Sequence, residues 1–230
     1  MCGRFGLSAG SDEQIRLMLE ALAAEPDPHT TVSEPEAALQ AHVADSLSGL
    51  EVKELARARR MADVGAGAGF PGLALAVALP SARVDLIESA GRKTAVIARL
   101  IQAGKIEDAR AVTARAEEWG ATPSTLGGGG QAYDAVVARA VGALAVLVEY
   151  AAPLLDVGGV FVAWKGARDR EEEARGAAAA EQLGLDVGAV LRVEPFEGAR
   201  DRHLHVFRKI APTPEGFPRR AGMAAKRPLG

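Results

Sequence analysis

The segment Asp63-Val-Gly-Ala-Gly-Ala-Gly-Phe-Pro-Gly72 sets the terms for the rest of the chain. It lies between a short apolar run, Met61–Gly65, and a helical period, Phe70–Leu79, so its glycines stand where a strand hands over to a helix. Glycine there lets the backbone turn sharply and come close to a ligand, while the helix behind it offers free amides. Glu88 closes the next strand-like run, where a carboxylate can take both hydroxyls of a ribose.

From Ala62 onward short apolar runs alternate with helical periods. The expected strands are Met61–Gly65, Arg83–Glu88, Ala111–Thr113, Tyr133–Ala138 and Val160–Lys165. Between and after them come helices at Phe70–Leu79, Arg92–Ala103, Leu144–Leu155 and Asp169–Leu183. Such alternation argues for a parallel sheet with helices on both faces. The last two runs, Val187–Val193 and His203–Arg208, are joined by a link around Pro195 and Gly198 that is too short for a helical crossover. The final strand is therefore expected to run antiparallel. The fold class is α/β: a Rossmann-like, seven-stranded, mostly parallel sheet with a C-terminal antiparallel hairpin and an N-terminal helical extension.

Two amphipathic helices make up that extension. Ser11–Ala24 carries Ile15, Leu17, Met18, Leu19 and Leu22 behind a Ser11-Asp12 cap. The second follows Ser33, with Pro35 in its first turn, Glu36 at the capping-box position and Leu39, Val43 and Leu47 on one stripe. The expected division is 1–58 extension, 59–211 α/β domain and 212–230 basic tail. The run Gly127–Gly130 is expected to be a flexible surface loop.

Composition bounds the function. The 230 residues, 48% hydrophobic and 25% charged, suffice for one α/β domain with a modest appendage. No apolar run approaches the roughly 20 residues of a membrane-spanning helix. Met1–Gly6 lacks the apolar stretch of a secretory signal, so a cytoplasmic location without membrane association is expected. Cys2 is the only cysteine, which excludes an internal disulfide and a cysteine-based metal cluster; no metal is expected. The net charge of −3 hides an asymmetry: from Gly198 on, eight Lys/Arg face Asp201 and Glu215, giving that segment +6 and the remainder −9. A basic end on an acidic body suits an anionic partner such as nucleic acid, and equally a solvated tail.

Loop spacing alone admits two cofactors. Gly67, Gly69 and Gly72, with Glu88, satisfy the dinucleotide pattern G-x-G-x-x-G. Three features favour S-adenosylmethionine. The glycines start at Gly65, directly after Asp63, giving the D-x-G-x-G-x-G motif of class I methyltransferases. Pro71 removes an amide that a pyrophosphate could use. The sheet ends in a hairpin and leaves no residues for a separate substrate domain. Gly65, Gly67, Gly69 and Glu88 are thus candidate cofactor-binding residues.

Methyltransferases of this kind work at the carboxyl end of the fourth strand, here Val136-Val-Ala-Arg-Ala-Val141. No Asn-Pro-Pro-Tyr type sequence is present to clamp an exocyclic amine, and no Pro-Cys for cytosine C5 chemistry. A substrate atom that is already nucleophilic remains, and guanine N7 fits, because its lone pair attacks the sulfonium methyl with no proton to remove. Arg139, ending an apolar strand, is costly unless an anion meets it, and is the candidate catalytic residue; an internal salt bridge would meet the same need. Lys165, in Ala163-Trp-Lys-Gly166, is a similar case.

Several segments together resemble one family. They are His42-Val-Ala-Asp-Ser-Leu47, Asp63–Gly72, Glu88-Ser-Ala-Gly-Arg-Lys93, Arg115-Ala-Glu-Glu118, Ala138-Arg-Ala-Val141, Pro153–Gly159, Trp164-Lys-Gly166, Arg202-His-Leu204 and the tail from Phe217 to Leu229. From about Thr30 to its end the chain resembles the bacterial 16S ribosomal RNA guanine-527-N7 methyltransferases, also called glucose-inhibited division protein B. The resemblance implies a cofactor site lined by Gly65, Phe70, Glu88, Ser89, Ala90, Ala116, Glu117 and Arg139, with Glu117 at the adenine end. It also implies a guanine in the 530 loop of 16S rRNA, naked or in a small-subunit assembly intermediate, as substrate; a monomer is expected. Arg92, Lys93, Lys165, Arg202, His203, Arg219 and Arg220 are the candidate RNA-binding residues. The chain departs from the family where an Asn-Leu-Thr stretch is usual and His29-Thr-Thr-Val32 stands instead. His42 and Asp45 match the family, with helix packing as their other reading. Two rival functions stay open on sequence: an NAD-dependent oxidoreductase, and a non-catalytic RNA-binding module on the same fold.

Overall fold

The computed structural model describes Phe5, residues 7–139 and residues 142–230. Cys2, and the Ala140-Val141 pair that follows Arg139, lie outside the described residues. Two N-terminal elements lead into the sheet: α1 (Ser11–Ala24), and α2, which runs through Pro35–Ala38, a π-helical turn at Leu39–Ala44, and Asp45–Leu47. Then follow β1 (Arg60–Val64), α3 (Gly72–Ala78), β2 (Arg83–Glu88), α4 (Gly91–Ala103), β3 (Ala109–Thr113) and α5 (Ala116–Ala121). The chain continues with β4 (Tyr133–Arg139), α6 (Leu144–Ala151), β5 (Leu155–Lys165), α7 (Arg170–Gln182), β6 (Leu185–Arg192), β7 (His203–Lys209) and α8 (Met223–Lys226).

The strands form one seven-stranded sheet in the order β3-β2-β1-β4-β5-β7-β6. β1 to β5 pair in parallel, and β7 runs antiparallel to both β5 and β6, as the short link before it requires. Strand order reverses between β1 and β4, which opens a crevice beyond their carboxyl ends. Both strands are buried on both faces, so they read as continuous apolar runs rather than as alternation. One apolar layer joins α1 and α2 (Ile15, Met18, Leu22, Val43, Leu47) to Leu73, Ile97 and Trp164; the other joins α6 and α7 to the opposite face, with Phe217 and Leu229 of the tail packed against it. The N-terminal helices thus share a core with the sheet.

Local chemistry shifts several element ends. Gly10, in the left-handed region, precedes α1, and Ser11 bonds Ser8 instead of capping. Glu34, not Ser33, caps α2: its carboxylate accepts from the Glu36 and Ala37 amides, the first positions able to donate once Pro35 fills the first turn. α3 starts at Gly72 because Asp63 Oδ2 accepts the Gly72 amide at 2.7 Å. α6 stops at Ala151, two residues before Pro153, and β5 starts at Leu155 rather than Val160. The Gly127–Gly130 run is a packed turn: a Cβ on Gly129 would lie 2.2 Å from the Trp119 ring, and one on Gly128 2.1 Å from the Thr122 carbonyl.

Trp164 of β5 lies directly over Gly49, where a Cβ would come within 2.4 Å of its ring, and its Nε1 donates to the Asp45 carbonyl at 2.9 Å. Gly49→Ala is expected to lower stability by about 1–3 kcal/mol through overpacking. Thermal unfolding should record a fall of roughly 2–4 °C per kcal/mol; an unchanged midpoint contradicts this packing.

Candidate active site

The crevice holds a cavity of about 790 Å³ bounded by the ends of β1, β2, β4 and β5, the residues after β3, α2 and the approach to β7. At one end Gly65 and Gly67 hold φ of +69° and +58°. A Cβ on Gly67 would meet nothing nearer than the Gly65 carbonyl at 3.8 Å, so the loop offers bare backbone to the cavity. Gly69 serves packing instead: a Cβ there would strike Leu73 at 2.4 Å, and the residue does not line the cavity.

Glu88 and Glu117 line the cavity, and a third carboxylate, Asp63, lies buried behind the glycine loop. Asp63 is wholly buried; burial pushes its carboxyl up to about 7, against the Gly72 amide and the Arg139 charge, with Glu88 adding to the rise. Its Oδ1 accepts no hydrogen bond. Glu88 accepts the Gly67 amide (3.2 Å) on one oxygen and the Ala90 amide (2.9 Å) and Ser89 hydroxyl (3.3 Å) on the other. Glu117, on the far wall beside Ala116 and Tyr150, accepts the Gly222 amide of the tail at 2.7 Å. Burial raises the Tyr150 hydroxyl, and the charges of Glu117 and Glu149 raise it further.

These residues fit S-adenosylmethionine. The Gly65–Gly67 backbone suits a close-lying chain and Glu88 a ribose, with the orphaned Asp63 Oδ1 buried behind the loop. A pyrophosphate is badly served, since Pro71 has no amide and Gly72 gives its own to Asp63.

The other end is built by α2 against the ends of β4 and β5. Arg139 Nη1 donates to Asp45 Oδ2 at 2.7 Å, and the carbonyls of Ala41 and His42 lie at 3.4 Å. The π-helical turn spanning those residues turns their carbonyls toward the guanidinium. His42 stacks on Phe70 at 4.9 Å between centroids. Its Nε2 lies 2.9 Å from the Val32 carbonyl, which can only accept, so Nε2 carries the proton and Nδ1 faces Arg139 Nη2 at 3.4 Å as acceptor. Burial and the Arg139 charge push His42 below its ordinary value.

Of the residues expected from sequence, Gly65, Gly67, Phe70, Glu88, Ser89, Ala116, Glu117, Arg139, Lys93, Lys165, Arg202 and His203 line this one cavity. Gly69, Ala90, Arg92, Arg219 and Arg220 do not. Lys165 bonds Glu172 (2.6 Å) and the Gly142 carbonyl, and His203 lies 2.8 Å from the Gly166 carbonyl. His29, Thr30, Arg115, Tyr150 and Trp164 are among the further lining residues not assigned from sequence.

A model of the rRNA small subunit methyltransferase G family matches residues 28–204. The chain belongs to that family. A relative, the ribosomal RNA small subunit methyltransferase G of Pelotomaculum thermopropionicum, is 44% identical over 82% of this chain and 77% of its own. Among solved structures, Aeropyrum pernix fibrillarin with natively bound S-adenosyl-L-methionine matches with a TM-score of 0.54 at 17% identity, over 71% of this chain and 72% of that one. The apo form of the S-adenosylmethionine-dependent methyltransferase SibL matches at 0.59 and 18%, over 90% and 67%. Those two establish the Rossmann-like methyltransferase fold. The protein is an S-adenosylmethionine-dependent methyltransferase.

Its basic tail is docked on the body. Arg219 Nε donates to Glu149 Oε1 at 2.7 Å, Nη2 reaches the other oxygen, and Glu149 is completely buried on α6. This pair seats the tail so that Gly222 reaches Glu117. A glutamate inside the apolar run Leu144–Ala151 was the available signal that a cation must return to it. Arg219→Ala is expected to cost about 3 kcal/mol in urea unfolding, because it strands that carboxylate. Glu149→Gln in the same chain should restore part of the loss; a cost below about 0.5 kcal/mol contradicts the pairing.

Asp63 generates a pH prediction. Its proton is held more tightly folded than unfolded, so in the free protein its ionisation removes stability as pH rises from 3.8 to about 7. A cationic ligand group seated on the loop above it would favour the ionised form through its charge. Binding of S-adenosylhomocysteine should therefore release a proton just below neutrality, read by calorimetry in buffers of different ionisation enthalpy, and Asp63→Asn should abolish the release. Proton-neutral binding by the parent protein contradicts this role.

Proposed function

We propose that this methyltransferase transfers a methyl group to N7 of a guanine in the 530 loop of 16S ribosomal RNA, in naked rRNA or a small-subunit assembly intermediate. The family and the names of its relatives support ribosomal RNA of the small subunit as substrate class. Lys93, Arg139, Lys165, Arg202 and His203 around one cavity suit a phosphate-bearing strand.

The observation that carries the N7 assignment is that both possible bases beside Arg139 are engaged with its guanidinium. His42 has its Nε2 proton on Val32 and its Nδ1 toward Arg139. Asp45 lies between two guanidiniums, Arg139 at 2.7 Å and Arg202 at 3.4 Å. An acceptor amine would have to shed a proton here; guanine N7 has none. When bound, S-adenosylmethionine supplies an electrophilic methyl group on its sulfonium. The chain's own part is then to hold and align: Glu88 and the glycine loop on the donor side, and the α2–β4 cluster on the acceptor side. No step needs a general base.

Two measurements test this. Nuclease digestion of small-subunit rRNA incubated with enzyme and labelled donor should yield N7-methylguanosine from the 530 loop. The value of kcat should stay flat from about pH 7.5 to 9, since no proton leaves the substrate. Label on another atom, or a steep rise of kcat through a side-chain pKa in that window, contradicts the N7 reading.

A further inference from the structure

The Asp45 carboxylate is half used. It is only 5% exposed and lines the cavity, and Oδ2 takes the hydrogen bond from Arg139. Oδ1 is buried and accepts none; the nearest cation, Arg202 Nε, lies 3.4 Å away outside hydrogen-bond geometry. A buried carboxylate oxygen without a donor is expensive, and a substrate that brings a donor relieves the cost.

The rest of the cluster fixes this oxygen in place. Trp164 Nε1 holds the Asp45 carbonyl, Ser48 donates to the same carbonyl at 2.6 Å, and Arg139 anchors Oδ2. Asp45 is therefore preorganised at the cavity wall formed by α2, which meets the glycine loop through the His42–Phe70 stack. A guanine has its N7 on one edge and its N1–H and exocyclic amine on the far side of the ring system. When N7 faces the methyl donor, those two donors face away from it, toward α2.

We propose that Asp45 Oδ1 is the acceptor for the Watson–Crick donors of the target guanine, N1–H and the exocyclic amine, and is thus a specificity-determining residue; this rests on the guanine-N7 reading above. Adenine offers no donor at N1 or C2, so the same oxygen would stay unpaired, and the site selects against it. The hydrogen bond also works in the chemical step. Attack by the N7 lone pair forms the N7–C bond as the methyl–sulfur bond breaks, and the electron pair of that bond stays on sulfur, which becomes a neutral thioether. Positive charge moves onto the purine and makes N1–H more acidic, so its bond to a carboxylate strengthens toward the transition state.

The test pairs one enzyme variant with one base analogue. Asp45→Asn keeps an oxygen for Arg139 and puts an NH₂ where Oδ1 stood, a donor facing donors. The RNA carries either guanosine or inosine, which lacks only the exocyclic amine, at the target position. The parent enzyme is expected to lose about 10- to 100-fold in kcat/KM on inosine. Asp45→Asn should lose a similar factor on guanosine, mainly in kcat, with little further loss on inosine. Losses that simply multiply would show that Asp45 only supports Arg139 and would overturn the proposal. A parent enzyme equally fast on both RNAs overturns it without recourse to the variant. S-adenosylhomocysteine binding near parent affinity verifies that the variant is folded. Methylation of guanosine RNA at an atom other than N7 would instead overturn the N7 reading, and this proposal with it.

Discussion

Arg139 leaves β4 at the point where strand order reverses, and its guanidinium would be stranded among buried side chains without Asp45. That one pair ties together two regions nearly a hundred residues apart in sequence. To supply Asp45, α2 must approach the carboxyl end of the sheet closely, which the bare Gly49 permits by letting Trp164 lie against it. To satisfy the remaining guanidinium hydrogens, the helix widens at Leu39–Ala44 and turns its Ala41 and His42 carbonyls inward. The stacking of His42 on Phe70 then sets the far wall of the glycine loop. Through Ala41, His42 and Asp45, α2 thus forms one wall of the active-site cavity.

The sheet was legible because its signals are local. Continuous apolar runs and the turn chemistry at Gly65–Gly72 fix strands and handover points, and a short link before His203 forces the final antiparallel strand. Element ends were less legible where a side chain from elsewhere decides them. Asp63 sets the start of α3, and the Glu34 carboxylate displaces Ser33 as cap. The Gly127–Gly130 run reads as a flexible surface loop in sequence, yet Gly128 and Gly129 admit Thr122 and Trp119 at distances no side chain would allow.

At the glycine-loop end one motif and one acid point to Gly65, Gly67 and Glu88, which line the cavity. Gly69 does not line it, and Ala116 and Glu117 followed only from the family resemblance. The acceptor half could not be assigned residue by residue, because its parts come from segments far apart in sequence and their roles depend on pairing. Arg139 was identified as a cation in need of an anion; that the anion is Asp45, inside the same chain, is a tertiary fact. Arg219 stands out in sequence only as one charge of a basic tail, whereas the structure commits it to Glu149 and so places Gly222 on Glu117. Charge composition marks a region as cationic but does not tell which cations are spent internally.

The most direct test of the account is a structure with S-adenosylhomocysteine bound. The ribose hydroxyls should rest on Glu88, the adenine should lie by Glu117 and Tyr150, and the sulfur should open toward α2 with Arg139 still on Asp45. Arg139 swung off Asp45 onto the homocysteine carboxylate would contradict it, since the α2–β4 cluster would then be part of the cofactor site and not the acceptor wall.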